Sequence, residues 1–131
     1  MNIRAGGPSV LPSILSVAYV SRGTKIAAGL QFVSSHSFLV ENGARAGAKK
    51  VTILMTDEKS TDDFGLIAPT VKSEGVVIIC VGIEIGIDTD QLNAIAYNTA
   101  YVVQDSEVDV VINIKNIIQI SSCGLSVNDR R

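Results

Sequence analysis

The residues best suited to chemistry follow an apolar run near the middle of the chain. Residues 51–55 (Val-Thr-Ile-Leu-Met) precede an acidic stretch, with carboxylates at positions 57, 58, 62 and 63. In open α/β sheets, ligands bind in the crevice at the carboxyl ends of the strands. If residues 51–55 form a buried parallel strand, Asp57 stands where it could bind a cation or a polar ligand. The alternative is a polar loop whose Ser60, Thr61 or Asp62 caps the next helix.

Other reactive side chains are few and far apart. His36 is the only histidine, and we expect it on the polar side of a helix in a solvated or capping role. Without a C-x-x-C pair the chain shows no zinc pattern. Cys80 lies in an apolar run and should pack as a small hydrophobe, whereas Cys123 lies in a polar tail and could bridge to another chain. No nucleophile–base pair is expected, so we predict that the protein is not an enzyme.

Composition narrows the class of protein. The chain has 131 residues, enough for one domain with a real core, and is 47% hydrophobic and 18% charged, as in globular proteins. The net charge of −2 and the absence of a basic run argue against nucleic acid as a partner. No apolar run is long enough to span a membrane.

The chain ends differ from the middle. Residues 1–8 look like a loose leader containing Gly6-Gly7-Pro8. Arg4 and the apolar residues 10–18 have some features of a secretory signal, but Pro12 and the neighbouring serines interrupt the run. The spacing of its apolar residues favours an amphipathic helix instead, so no convincing signal peptide is present. Residues 121–131 are predicted to be a C-terminal tail.

The rest of the chain alternates between helical and strand patterns. Thr24 is predicted to cap a helix in which Gly29 would allow close approach to the sheet. Asp62 or Asp63 is predicted to start a helix that ends at Glu74-Gly75 and is kinked or divided by Pro69. The other predicted elements are a buried strand at 76–82, a helix capped by Thr89 or Asp90, a short strand at 101–103, and a last helix from Glu107 to Ile120.

This alternation predicts an α/β fold. Strands separated by helices pair in parallel, and helices then cover the sheet in a three-layer sandwich. The loops after residues 55 and 82 should therefore lie at the same edge of the sheet.

The order of these motifs resembles a von Willebrand factor type A (vWA) domain of the kind found in matrilins and type VI collagen. Such domains are similar in having Gly-Ala-Arg shortly before a strand, as at residues 43–45. The resemblance covers about residues 14–120 and only the C-terminal two-thirds of the family pattern. It implies a Rossmann-like, doubly wound sheet that here lacks its first, central strand, with a partial domain at 9–120. The resembling segments are residues 19–30, 42–50, 51–57, 60–63, 74–76, 81–83 and 92–96.

The resemblance also implies a metal-ion-dependent adhesion site. Family members bind a divalent cation, usually Mg²⁺, through an Asp-x-Ser-x-Ser loop, a threonine and an aspartate. By position the threonine is Thr24 and the aspartate is Asp57. This chain has no Asp-x-Ser-x-Ser, and Glu58 replaces the glycine that usually follows the aspartate, which calls the tight turn of that loop into question. Because Mg²⁺ prefers an octahedral shell of oxygens, we expect cation binding by this chain alone to be weak or absent.

Three functions remain open from the sequence. The leading hypothesis is a truncated, non-catalytic adhesion module of the extracellular matrix that binds a matrix or cell-surface protein and is secreted. A Rossmann-like nucleotide-binding enzyme fragment is an alternative, supported only by Gly82-x-x-x-Gly86 after a strand. A third is a structural assembly piece, because the missing central strand would leave residues 51–55 as a bare edge. Self-association could then use that edge or Cys123.

Overall fold

The fold follows from one deeply buried strand and the helices around it. The computed structural model describes residues 10–18, 23–84, 87–104 and 110–122. The strands are β1 (Lys50–Thr56), β2 (Val76–Gly82) and β3 (Val102–Gln104), and the helices are α1 (Val10–Leu15), α2 (Ile26–Phe32), α3 (Ile67–Ser73), α4 (Thr89–Ile95) and α5 (Val110–Ser122). A π-helical turn, Val33–Ser37, extends α2, and 3₁₀ turns lie at Val40–Asn42 and Thr99–Tyr101.

The sheet has the order β1-β2-β3, and all its strands are parallel. Lys50 lies opposite Val76 and Thr56 opposite Gly82, so β1 and β2 end together. Helices α3 and α4 pack on β2, α2 packs on α3, and α5 packs on β2 and β3. This is the predicted α/β fold, a partial doubly wound sheet of the Rossmann-like type.

The core is centred on β2. Ile78, Ile79 and Cys80 are fully buried there, and they belong to a cluster that includes Leu30 of α2 and Leu92 of α4. A run of β-branched residues without charges is what a parallel strand covered on both faces requires. The predicted burial of residues 76–82, and of Cys80 as a small hydrophobe, is therefore confirmed.

Strand β1 differs from the buried strand that its sequence predicted. Ile53 is 38% exposed and Met55 is 61% exposed. Within the described part of the chain β1 pairs only with β2, so its other side is an open edge. Because an edge strand has a neighbour on one side only, part of its surface stays in water. The described residues therefore show the bare edge that was predicted, and the predicted full burial of this strand is wrong.

Several predicted helix starts were wrong. Thr24 does not cap α2, whose N-cap residue, Lys25, makes no side-chain hydrogen bond. Helix α3 begins at Ile67 rather than at Asp62 or Asp63, and Asp63 instead accepts the Gly65 N–H over 2.8 Å in a tight local turn. Pro69, expected to kink or divide the helix, lies in the first turn of α3, where a missing N–H costs no intrahelical hydrogen bond.

The remaining elements lie within a few residues of their predicted bounds. Asp88, and neither Thr89 nor Asp90, caps α4 by accepting the Gln91 N–H over 3.1 Å. Strand β3 begins at Val102 because Tyr101 ends a 3₁₀ turn. Helix α5 runs to Ser122, two residues beyond its predicted end, and its predicted start at Glu107 falls outside the described residues.

The remaining predictions concern the chain ends, Gly29 and the membrane. The leader at 1–8 and Cys123 lie outside the described residues. A Cβ at Gly29 would have no atom within 4 Å, so the predicted close approach to the sheet is wrong. Among the described helices none combines the length and hydropathy that crossing a bilayer requires.

Candidate functional site

The candidate site lies at the edge where β1 and β2 both end. Because the strands are parallel, the loop at 57–63 and the loop after Gly82 leave the sheet side by side. Lys59 Nζ joins the two loops through a 2.9 Å ion pair with Asp88 Oδ2, and the Ser60 N–H joins the first loop to α4 by donating to Gln91 Oε1 over 2.9 Å. The hydrogen bond with Lys59 lowers the pKa of Asp88, and the same contact raises the pKa of Lys59.

Thr24 and Asp57 line the same open depression. It has a volume of about 210 Å³, and its wall also includes Gly29 of α2 and Met55 of β1. Asp57 is exposed and Thr24 is half-buried. The two residues assigned as ligands by resemblance therefore meet at one place in the fold, although they are far apart in sequence.

The hydroxyl of Thr24 already has a partner. Its Oγ1 donates to Glu58 Oε2 over 3.1 Å. The carboxylate of Glu58, at the position where the resemblance implies glycine, thus lies against one of the two expected ligands. Through this contact Glu58 brings a second carboxylate next to a residue that lines the depression.

The turn after β1 forms without a glycine. Thr56 Oγ1 donates to the Glu58 carbonyl over 2.8 Å and accepts the Glu58 N–H over 3.2 Å. Glu84 is the only non-glycine residue with a positive φ among those described, so Glu58 carries no such strain. The side chain of Thr56 therefore makes the turn that the loss of glycine called into question.

Residues 60–62 hold the segment of Thr24 in place. The Thr61 N–H and Oγ1 both donate to the Thr24 carbonyl, each over 3.0 Å. Ser60 Oγ accepts the Ile26 N–H over 2.9 Å. This clamp fixes the start of α2 against the loop after β1.

Asp62 completes that clamp as the true cap of α2. Its Oδ1 accepts the Ala27 N–H over 3.0 Å and its Oδ2 accepts the Ala28 N–H over 3.1 Å. A hydrogen bond from the Ser60 hydroxyl is the main cause of the lowered pKa of Asp62; burial opposes it and the two N–H groups add to it. This role was not evident from the sequence, which assigned Asp62 to the helix that follows it. Asp62 instead caps α2, about 35 residues earlier in the chain.

His36 forms a contact that was not expected. Its Nδ1 lies 2.6 Å from Ser35 Oγ, which contradicts the prediction that no nucleophile lies beside the histidine. Ser35 Oγ also donates to the Gln31 carbonyl over 2.8 Å. Both residues are exposed, and the ring stacks on Phe32 with centroids 4.7 Å apart. The geometry is that of a solvated helix surface.

The comparisons with known proteins agree with this fold. The family model of the von Willebrand factor type A domain matches residues 4–118. The chain belongs to this family. Human matrilin-1 is 34% identical over 84 residues, which cover 64% of this chain and 17% of matrilin-1. The rabbit collagen alpha-1(XII) chain is 30% identical over 120 residues, covering 85% of this chain and 19% of the relative.

A solved structure shows the same fold. Proximal thread matrix protein 1 from the mussel byssus, in a structure whose MIDAS motif is occupied by zinc, has a TM-score of 0.76 and 28% identity, over 87% of this chain and 30% of that one. This vWA chain spans less than a third of the length of each of these relatives.

The donor atoms at this vWA site do not make a complete metal site. Asp57 and Glu58 offer carboxylates and Thr24 a hydroxyl, and no group of three or more His, Cys, Asp or Glu residues suited to a metal occurs in the described part of the chain. Mg²⁺ requires an octahedral shell of hard oxygens. The described residues at this site therefore offer too few oxygen donors for a tightly held cation.

Proposed function

We propose that this chain is a non-catalytic protein-interaction module of extracellular-matrix type whose metal-ion-dependent adhesion site is impaired. Its protein ligand, from the matrix or a cell surface, would bind at the depression lined by Thr24 and Asp57. The observation that carries the proposal is the contact of Glu58 with Thr24 Oγ1 beside that depression, because it engages a predicted metal ligand and adds a charge where the resemblance implies glycine.

The relatives support a matrix setting. They are a matrilin, a collagen chain and a thread matrix protein, and family membership makes protein binding the expected activity. Secretion of this chain follows by the same reasoning. The Ser35–His36 pair is exposed, and the serine hydroxyl also donates to the Gln31 carbonyl, so the pair gives no support to hydrolysis.

The nucleotide-binding alternative loses its main support. A Cβ at Gly82 would lie 2.8 Å from Gln104 Oε1 and 2.8 Å from Ile87 Cγ2. Gly82 is buried where these side chains pack, so its small size serves the core and not the approach of a phosphate.

Binding to immobilised collagen and matrilin-1 tests the proposal. We expect micromolar binding that is the same in Mg²⁺ as in excess EDTA, and that weakens on Asp57→Asn. Asp90→Asn, at an exposed position in α4, is the matched control and should have no effect. Binding that EDTA abolishes would contradict the impaired site, and the absence of binding to both proteins would contradict the adhesion module.

A further inference from the structure

The open edge of β1 carries a pattern that is complementary to itself. Outside the ladder with β2, β1 has no strand beside it in the described part of the chain. Backbone groups on an open edge can pair with another chain. Which chain can pair there depends on the groups that the edge presents.

The backbone of β1 sets which residues can pair. The Thr56 carbonyl accepts the Ile83 N–H over 2.9 Å, so the backbone groups of Thr56 point toward β2. In a strand these directions alternate from one residue to the next. The N–H and C=O groups of Val51, Ile53 and Met55 therefore point to the open edge.

The charges along this edge are opposite at its two ends. A basic depression of about 240 Å³, lined in part by Arg45, Lys49 and Lys50, lies at the start of β1. The acidic pair Asp57 and Glu58 lies at its end. Two copies of such an edge attract each other when they run antiparallel and repel when they run parallel.

One register pairs residues whose backbone groups point outward and also places opposite charges next to each other. If two β1 strands run antiparallel and cross at Ile53, each Val51 faces a Met55 and each Lys49 faces an Asp57 of the other copy. Val51, Ile53 and Met55, whose backbone groups point outward, then face one another across the two-fold axis, and Lys49 and Asp57 lie just beyond the ends of β1. The exposed side chains of Ile53 and Met55 become covered by their counterparts. A shift by one residue would pair outward groups with inward ones.

We propose that two copies of this chain pair through β1 as a two-fold antiparallel extension of the sheet, centred on Ile53, with Lys49 of each copy facing Asp57 of the other. The contact is isologous, as in closed dimers. It joins two three-stranded sheets into one of six strands. It also covers the edge that would otherwise invite open-ended aggregation.

Charge reversal tests the pairing in the full chain. Sedimentation equilibrium should show a reversible dimer whose dissociation constant rises about tenfold with Lys49→Asp or with Asp57→Lys, since each dimer contains two such pairs. The double variant, in which the charges are exchanged, should restore the wild-type value. Lys115→Asp is the control, because Lys115 lies on α5, which packs on β2 and β3.

Cysteine cross-linking tests the register separately. In a Cys123→Ser background, Ile53→Cys should form a disulfide dimer on mild oxidation, because antiparallel partners that exchange hydrogen bonds have Cα atoms about 5.5 Å apart, within the range of a disulfide. Thr52→Cys should not, because its counterpart would lie two residues further along. Val51→Cys mixed with Met55→Cys should cross-link only between the two variants.

Three results would overturn the proposal. The first is a chain that stays monomeric at high concentration, which would leave the edge to a strand from another protein. The second is a dimer whose dissociation constant is unchanged by both charge reversals. The third is equal cross-linking by Thr52→Cys and Ile53→Cys. Circular dichroism of each variant distinguishes a loss of folding from a loss of pairing. Met55 and Asp57 also line the depression of the proposed function, so the dimer and a protein ligand would compete for these residues. Neither experiment contains a matrix ligand, so a failure of pairing leaves the proposed function standing.

Discussion

Oγ1 of Thr24 donates a hydrogen bond of 3.1 Å to Oε2 of Glu58. The two residues are 34 positions apart, and the clamp of Ser60, Thr61 and Asp62 on the start of α2 brings them together. A cation at Asp57 would have to compete with this contact or accept Glu58 as an additional ligand. The described part of this site thus contains a hydrogen bond between a predicted metal ligand and a neighbouring carboxylate.

Cation binding should accordingly be weak. Because Thr24 and Asp57 leave most of an octahedral shell to water, we expect Mg²⁺ to bind only in the millimolar range by isothermal titration calorimetry. Asp57→Asn should remove that residual binding, whereas Asp90→Asn should leave it unchanged. EDTA should not alter the melting temperature. Micromolar affinity, or a clear rise of the melting temperature in Mg²⁺, would show that the site is complete.

Asp62 should make the stability of the fold depend on acid. Its pKa lies below the ordinary 3.8, chiefly because of the Ser60 hydroxyl. A lowered pKa in the folded state means that the contribution to stability is complete above pH 3.8 and is lost as the pH falls through the folded value. Asp62→Asn should lower the melting temperature at neutral pH, because an amide has one acceptor oxygen for the two N–H groups of Ala27 and Ala28.

The control for Asp62→Asn is Asp90→Asn, which removes one exposed carboxylate from the first turn of α4. Urea unfolding of the wild type and both variants across the acid range separates the effect of the cap from general effects of charge. If Asp62→Asn kept the full acid dependence of the wild type, the cap would not be its cause.

Features that depend on residues close together in the sequence could be predicted, whereas features that depend on residues far apart in the sequence could not. The apolar run at 76–82 specifies a buried strand by itself, and the alternation with helices then specifies parallel pairing. The true cap of α2 could not be found in this way, because Asp62 and Ala27 are joined only by the tertiary fold. The partial exposure of Ile53 depends likewise on the lack of a second neighbouring strand in the described part of the chain, and not on the residues of β1.

The thiol of Cys80 should be unreactive in the folded protein. It is buried and free, and burial raises its pKa from 9.0 to about 12, with the charge of Lys72 opposing. In a Cys123→Ser background, Ellman's reagent should label Cys80 only after unfolding. Because the pKa of Cys80 is higher in the folded than in the unfolded state, its contribution to the free energy of unfolding is complete below pH 9.0. This contribution is lost as the pH rises toward about 12. Rapid labelling of the native protein would show that β2 opens readily.

Two glycines should respond to alanine in opposite directions. Gly29 lies within α2, and a methyl group there would have no atom within 4 Å, so Gly29→Ala should raise the free energy of unfolding by about 1 kcal/mol through helix propensity. Gly75 follows α3 with a φ of 83°, where its N–H donates to the Lys72 carbonyl over 3.1 Å. Gly75→Ala should lower the free energy of unfolding by about 1 kcal/mol, because a Cβ is strained in the left-handed region. Urea unfolding of both variants checks the pair, and a loss of stability in Gly29→Ala would mean that α2 is packed more closely than its open surroundings indicate.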